Sequence, residues 1–160
     1  MHASLIDQKV LGYLGRALSL ELSAVQLYST QARLVANWGL DSVSERFHAE
    51  AREEMQHAER IIGRMLARGS APGSSQLRPV KLGTDLLTLL KIDQQFEKEL
   101  VSLYQEAVTH CLNSDMQDDR IFFQALLDEE KEHAATLQTW IESLGVRPSV
   151  QVANRSLSAR

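Results

Sequence analysis

Cysteine is almost missing from this chain: Cys111 stands alone among 160 residues, so no intrachain disulfide can form and no thiolate metal site is available. Its plain reading is a half-buried thiol on a helix. Proline and glycine are also scarce, three and eight residues, which argues for an ordered and mostly helical protein. Strand signals are lacking. No apolar run approaches the ~18 residues of a membrane span. Met1-His2-Ala3-Ser4 opens straight into a helical pattern without the charged and apolar blocks of a signal peptide, so a cytoplasmic protein with no membrane partner is expected. Basic runs are missing too, and the net charge is −4, which argues against nucleic acid as the main partner because phosphate neutralisation needs clustered Lys and Arg. A mildly acidic surface suits cations.

What is present is an apolar fraction of 44% recurring at helical spacing, enough for one domain over residues 1–160 with a sizeable core. The breaks predict helices over 4–37, 42–68, 83–112 and 117–144, with Asp41 and Thr84 as N-caps of the second and third. Gly145 and Pro148 stop the fourth, and a short fifth helix is expected near 148–156. Two links are only a few residues long and join antiparallel neighbours. The third, from Gly69 to Gly83, is long enough to run back along a helix of about 27 residues at 1.5 Å per residue. The expected fold is therefore all-α: an up-down four-helix bundle with one long crossover between helices two and three.

The informative residues are the charged ones inside the apolar stripes, because an unpaired buried charge is costly. Glu21 lies seven residues after Leu14 and seven before Tyr28; Glu97 lies seven after Leu90 and seven before Tyr104. Helix two carries Glu54-Met55-Gln56-His57 and helix four Glu130-Lys131-Glu132-His133, two Glu-x-x-His pairs whose spacing puts both side chains on one face. Phe47 and Ile61 flank Glu54, Phe123 and Leu137 flank Glu130, and Leu126 and Trp140 flank His133, while His57 sits between Glu50 and Arg64. The positions form a repeat. Glu21 to Glu54 and Glu97 to Glu130 are both 33 residues; Glu21 to Glu97, Tyr28 to Tyr104, Glu54 to Glu130 and His57 to His133 are all 76. Two copies of one hairpin each contribute Glu, Glu and His at the same level, a pseudo-twofold site in the middle of the bundle.

Four carboxylates balance two divalent cations, and metal loading relieves their mutual repulsion, with release of the protons that burial keeps on the empty site. Carboxylate-rich ligation with two histidines suits Fe or Mn better than a closed zinc site. By symmetry, Glu54 and Glu130 are expected to bridge two metals, Glu21 and Glu97 to be terminal ligands, and His57 and His133 to take one metal each. Tyr28 is read as a core tyrosine hydrogen-bonded to a carboxylate, with electron donation during oxygen reduction as the alternative.

Glu21, Glu54-Met55-x-His57, Glu97 and Glu130-x-x-His133 resemble the ferritin-like di-iron proteins, and most closely bacterioferritin; the resemblance spans almost the whole chain, including Asn37-Trp38-Gly39-Leu40 at the first turn. It implies a ferroxidase centre of two irons on Glu21, Glu54, His57, Glu97, Glu130 and His133. It also implies a 24-subunit shell that takes Fe(II) and dioxygen or peroxide and stores ferric mineral. Met55, whose repeat counterpart is Lys131, aligns with a methionine that ligates haem b across a subunit twofold axis. A second bacterioferritin subunit and a ferredoxin-type reductant are further implied partners. Two departures stand out: Arg52 lies one turn before Met55 where an apolar residue is expected, and Ala49 replaces an inner-surface histidine found in some members. The competing readings are a di-iron oxidase or rubrerythrin-like peroxidase without storage, and a haem-binding subunit of a mixed shell. A single Cys opposes the rubredoxin module of the former, and six intact ligands oppose the latter. His2, His48 and His110 show no partner pattern, and the tail from Pro148 to Arg160 carries Gln151 and Asn154 as polar residues able to line a pore.

Overall fold

The computed structural model describes residues 7–145. Four helices, α1 (Gln8–Asn37), α2 (Asp41–Ala67), α3 (Leu86–Asn113) and α4 (Gln117–Gly145), account for nearly all of it. The expected fifth helix at 148–156 and His2 lie outside the described residues. Among the described residues no helix is long and apolar enough to cross a membrane.

Helix starts differ from the sequence reading for local reasons. Asp7, in an extended conformation, accepts the amide protons of Lys9 and Val10 at 2.8 and 3.0 Å, so α1 begins at Gln8 rather than at residue 4. Asp41 is not the cap of α2: Leu40 holds that position without a side-chain bond, and Asp41 is the first helical residue, where its charge faces the positive end of the helix dipole. Asp85, not Thr84, caps α3 by accepting from the Thr88 amide at 2.8 Å.

Three helix ends share one device. Gly39 donates to Ala36 O and Leu40 to Val35 O; Gly69 donates to Leu66 O and Ser70 to Met65 O. These are Schellman closures around a left-handed residue, with φ of 79° at Gly39 and 73° at Gly69. At the end of α3 the same role falls to Asp115, with φ 54°. Asp115 is 76 residues after Gly39, so the internal repeat includes its turn.

α1 packs along α2 and α3 along α4, with α1 against α3 joining the two hairpins. The crossover lies on that seam: the amides of Gln76 and Arg78 donate to Ser19 Oγ and Ser23 Oγ on α1 at 3.1 and 3.0 Å, and the Arg78 side chain pairs with Glu99 on α3. Gly83 is tight against α3, since a Cβ there would meet Thr88 Cγ2 at 3.0 Å. The core repeats as well. Leu14 and Leu90, Tyr28 and Tyr104, and Phe47 and Phe123 are buried counterparts at the 76-residue offset.

Candidate metal centre

All four helices deliver acids to the middle of this core. Glu21, Glu54 and Glu130 are completely buried, Glu97 is 1% exposed, and His57 is buried beside them. Two overlapping groups of potential ligands result: Glu21, Glu54, His57 and Glu130 in one, and Glu54, Glu97, Glu130 and His133 in the other, each with its ligand atoms within 4.8 Å of one another. Glu54 and Glu130 belong to both. All six residues named from the sequence as candidate ligands therefore converge.

His57 Nδ1 lies 2.8 Å from Glu130 Oε1, 3.2 Å from Glu54 Oε2 and 3.4 Å from Glu21 Oε1. His133 Nδ1 lies 3.1 Å from Glu54 Oε1 and 3.5 Å from Glu130 Oε2. The rings are nearly parallel, their centroids 5.7 Å apart. Although His57 approaches Glu130 at ion-pair distance, neither Glu130 oxygen receives a bond of hydrogen-bond geometry. Glu21 Oε2 and Glu97 Oε2 are likewise without partners. Completely buried carboxylate oxygens without donors are costly, and a cation is the partner that would satisfy several at once.

The electrostatics carry the same message. Burial, reinforced by the neighbouring Glu54, lifts the Glu21 carboxyl to about 8. Burial and the charges of Glu130 and Glu54 hold Glu97 well above the usual range. For the histidines burial works against protonation, but hydrogen bonds to the carboxylates outweigh it, raising His57 and taking His133 to about 12. The close approach of His133 and His57 likewise overcomes burial at Glu130 and lowers its pKa. Burial and close approach thus favour protons on Glu21, Glu97 and both rings, of which only the two imidazolium rings carry positive charge.

Each tyrosine serves the opposite hairpin. Tyr28 Oη on α1 donates to Glu97 Oε1 on α3 at 2.6 Å, and Tyr104 Oη on α3 donates to Glu21 Oε1 on α1 at 2.5 Å. Tyr28 is thus a buried tyrosine bonded to a carboxylate, but not to the one on its own helix. The structure adds outer partners that the sequence reading passed over. His57 Nε2 is 3.2 Å from Glu129 Oε2, and His133 Nε2 is 2.6 Å from Glu53 Oε2. Such carboxylates fix which ring nitrogen is free to ligate. Glu53 and Glu129 are again 76 residues apart, and each directly precedes a Glu-x-x-His motif, which was the signal available. Arg60 pairs with Glu129 at 2.5 Å; its counterpart, Thr136, carries no charge. His110, without a pattern in the sequence, bonds Asp7 Oδ2 at 3.1 Å and lies far along the chain from the centre. Asp119 is a buried acid of another kind, held by Arg64 and Arg68.

The class of the fold is shown by a ferritin-like domain family, whose model matches residues 11–145. Curated relatives narrow it. The Rhodobacter capsulatus bacterioferritin is 33% identical over 135 residues, 84% of each chain, and the bacterial ferritin of Synechocystis sp. is 30% identical over 146 residues, 89% of this chain and 94% of that one. Among solved structures, that of the Rhodobacter capsulatus bacterioferritin, with a metal-free dinuclear site and haem iron in a crystallographic special position, superposes with a TM-score of 0.83 at 32% identity, covering 87% of each chain. The chain belongs to the ferritin-like family and, within it, to the bacterioferritins.

Proposed function

We propose that this chain is an iron-storing ferroxidase: it oxidises Fe(II) to Fe(III) at a di-iron centre within each subunit and retains the ferric product as mineral inside a self-assembled shell. The observation that carries the reading is the pair of overlapping ligand groups sharing Glu54 and Glu130. Glu54 and Glu130 would serve both metals, Glu21 and His57 would complete one position, and Glu97 and His133 the other. Two divalent ions would neutralise the four carboxylates and displace the protons that otherwise balance the cluster. Two Fe(II) substrates side by side supply an electron pair, suited to two-electron reduction of dioxygen or peroxide. The chain's part is to hold both metals, keep His57 and His133 oriented through Glu129 and Glu53, and fix Glu97 and Glu21 through Tyr28 and Tyr104.

Met55 fits a haem ligand. Next to the buried Glu54, it is 38% exposed, which leaves its thioether open to a partner surface. With Met55 of a second copy across a twofold axis it would hold haem iron, which supplies electron transfer; Arg52, exposed one turn earlier, suits a propionate. The shell in this reading has 24 subunits, and exposed leucines such as Leu66, Leu82 and Leu112 suit contacts between copies. The deciding experiment is aerobic loading with excess Fe(II), followed by iron per chain in a size-resolved fraction. Far more than two irons per chain in a very large particle is expected; about two per chain in a small species would reassign the protein as a di-iron oxidase or peroxidase. Met55→Leu should remove the haem absorption band and leave Fe(II) oxidation intact.

A further inference from the structure

The two halves of the bundle differ behind their tyrosines. Near Tyr104, the core positions one turn beyond the centre hold Ala17, Ala107 and Leu126, all completely buried and apolar. The corresponding positions near Tyr28, at the 76-residue offset, hold Asp93, Gln31 and Glu50. A cavity of about 20 Å³ opens in that half at this level, its polar lining Tyr28, Arg46, Glu50, Asp93, Glu97 and His133. That volume admits one water-sized occupant. Asp93 is completely buried, its Oδ1 accepts from Gln31 Nε2 at 2.6 Å, and its Oδ2 has no partner. Glu97 Oε2, on the same wall, has none either.

We propose that this cavity is a third cation site, distinct from the di-metal centre, in which Asp93 and Glu50 hold one Fe(II) or similar hard divalent ion through oxygen ligands. The proposal rests on the di-metal reading through its charge balance. Once two divalent ions neutralise Glu21, Glu54, Glu97 and Glu130, Asp93 and Glu50 remain as two acids on the cavity wall against one lining cation, Arg46, and the excess of negative charge favours one more cation. The Arg46 guanidinium is stacked over the Trp140 ring at 3.6 Å from its centroid. Oxygen-only donors at such a site select hard ions, Fe(II), Mn(II) or Mg(II), over those that need nitrogen or sulfur. Gln31 is a positioning residue, tying up one Asp93 oxygen and leaving the other to the ion. The absence of counterparts in the Tyr104 half makes this a single site per chain, adjoining the metal held by Glu97 and His133.

The test is anomalous diffraction from crystals of the assembled protein soaked with Mn(II) alone, on wild type, Asp93→Ala, the near-isosteric Asp93→Asn, and Glu53→Ala. Wild type should show three Mn(II) positions per chain, two among the six ligands and a third at Asp93. Both Asp93 variants should lose only the third, and Glu53→Ala should keep it; Asp93→Asn retains the shape and the Gln31 contact, so the result does not depend on the alanine variant folding. Two central ions with nothing at Asp93 would overturn the proposal, as would a third ion seated on Glu50, Glu53 and His133 that survives both Asp93 variants. Central positions empty at saturating Mn(II) would sink the di-metal reading instead, and this proposal with it.

Discussion

The α1–α2 hairpin and the α3–α4 hairpin agree at the 76-residue offset wherever a side chain faces the metal centre, and diverge one layer further out. Glu21 and Glu97, Glu54 and Glu130, His57 and His133, Tyr28 and Tyr104, Glu53 and Glu129 are all matched pairs. Beyond them Arg60 faces Thr136, Asp93 faces Ala17 and Gln31 faces Ala107. On the di-metal reading, one symmetric set of ligands would serve both metals, while the environment tuning each position is free to vary. His57 is the more enclosed ring, with 5% of its side chain exposed against 15% for His133, and only its outer carboxylate has an arginine.

The largest effect should come from the shared ligands. Glu54→Ala or Glu130→Ala removes a group common to both metal positions, so each should bring Fe(II) oxidation to background and abolish both sites in equilibrium dialysis with Co(II). Glu21→Ala, by contrast, should weaken one position and spare the Glu97–His133 position. Wild-type rates in either bridge variant would remove these residues from the centre. Next in size are the outer carboxylates: Glu53→Ala and Glu129→Ala should each weaken metal binding about 10–100-fold, since a ligating histidine loses the group that orients its ring. Arg60→Thr copies the α4 half into α2. It should bring the two Co(II) affinities closer together, and unchanged stepwise binding would show that Arg60 does not differentiate them.

Proton linkage gives a third test. Glu21 titrates at about 8, raised first by burial and then by Glu54, and Glu97 and both histidines also hold their protons more tightly than usual. Metal must displace those protons, so apparent affinity should rise with pH up to and beyond about 8, with calorimetric heats that depend on buffer ionisation. The metal-free fold should respond in the opposite sense. An acid whose folded pKa is raised contributes stability that is full below its ordinary value and lost as pH rises through the folded one. Asp93, lifted to about 8 by burial and by the charge of Glu50 against the opposing Gln31 bond, joins Glu21 in this. Melting temperature of the apo protein should therefore fall between about pH 4 and 8, and Asp93→Asn should flatten part of that fall. A smaller change is expected from Tyr104→Phe or Tyr28→Phe. Each strips the donor from a buried carboxylate, costing about 1–3 kcal/mol in the folded state where that carboxylate is charged.

The ligands were legible in the sequence because the offset is a property of the chain itself: four acids and two histidines in apolar stripes can be counted without coordinates. The bundle and its long crossover were legible for the same reason, from helical period and the one Gly, Ser and Pro-rich break. Cross-hairpin bonds were not. Which carboxylate Tyr28 reaches depends on how α1 packs on α3, and periodicity places it only on a face. Asp93 and Gln31 sit at core positions and could have been noticed as polar intruders, but a single polar residue without a counterpart has no offset to mark it. Helix starts were missed because Asp7 and Asp85 compete with other N-cap formers nearby, and because the Schellman closure at Gly39 commits Leu40 to the cap position of α2.

The finest contrast is in the two turns. Gly39 and Asp115 occupy the same left-handed position in equivalent Schellman closures, with φ of 79° and 54°. An L residue with a Cβ is disfavoured there, and Asp tolerates it better than most without matching Gly. Asp115→Gly should therefore stabilise the fold by about 0.5–1 kcal/mol, the relief of local strain being partly offset by the greater freedom of glycine in the unfolded chain. Gly39→Asp should cost a similar amount, since a Cβ at that position meets nothing within 4 Å and only the backbone conformation is at stake. Reversible denaturant unfolding of the two variants and of the double exchange measures this directly. If the turns are independent, as their separation at opposite hairpins implies, the double exchange should return close to wild-type stability; a large departure would mean that one turn is restrained by contacts the other lacks.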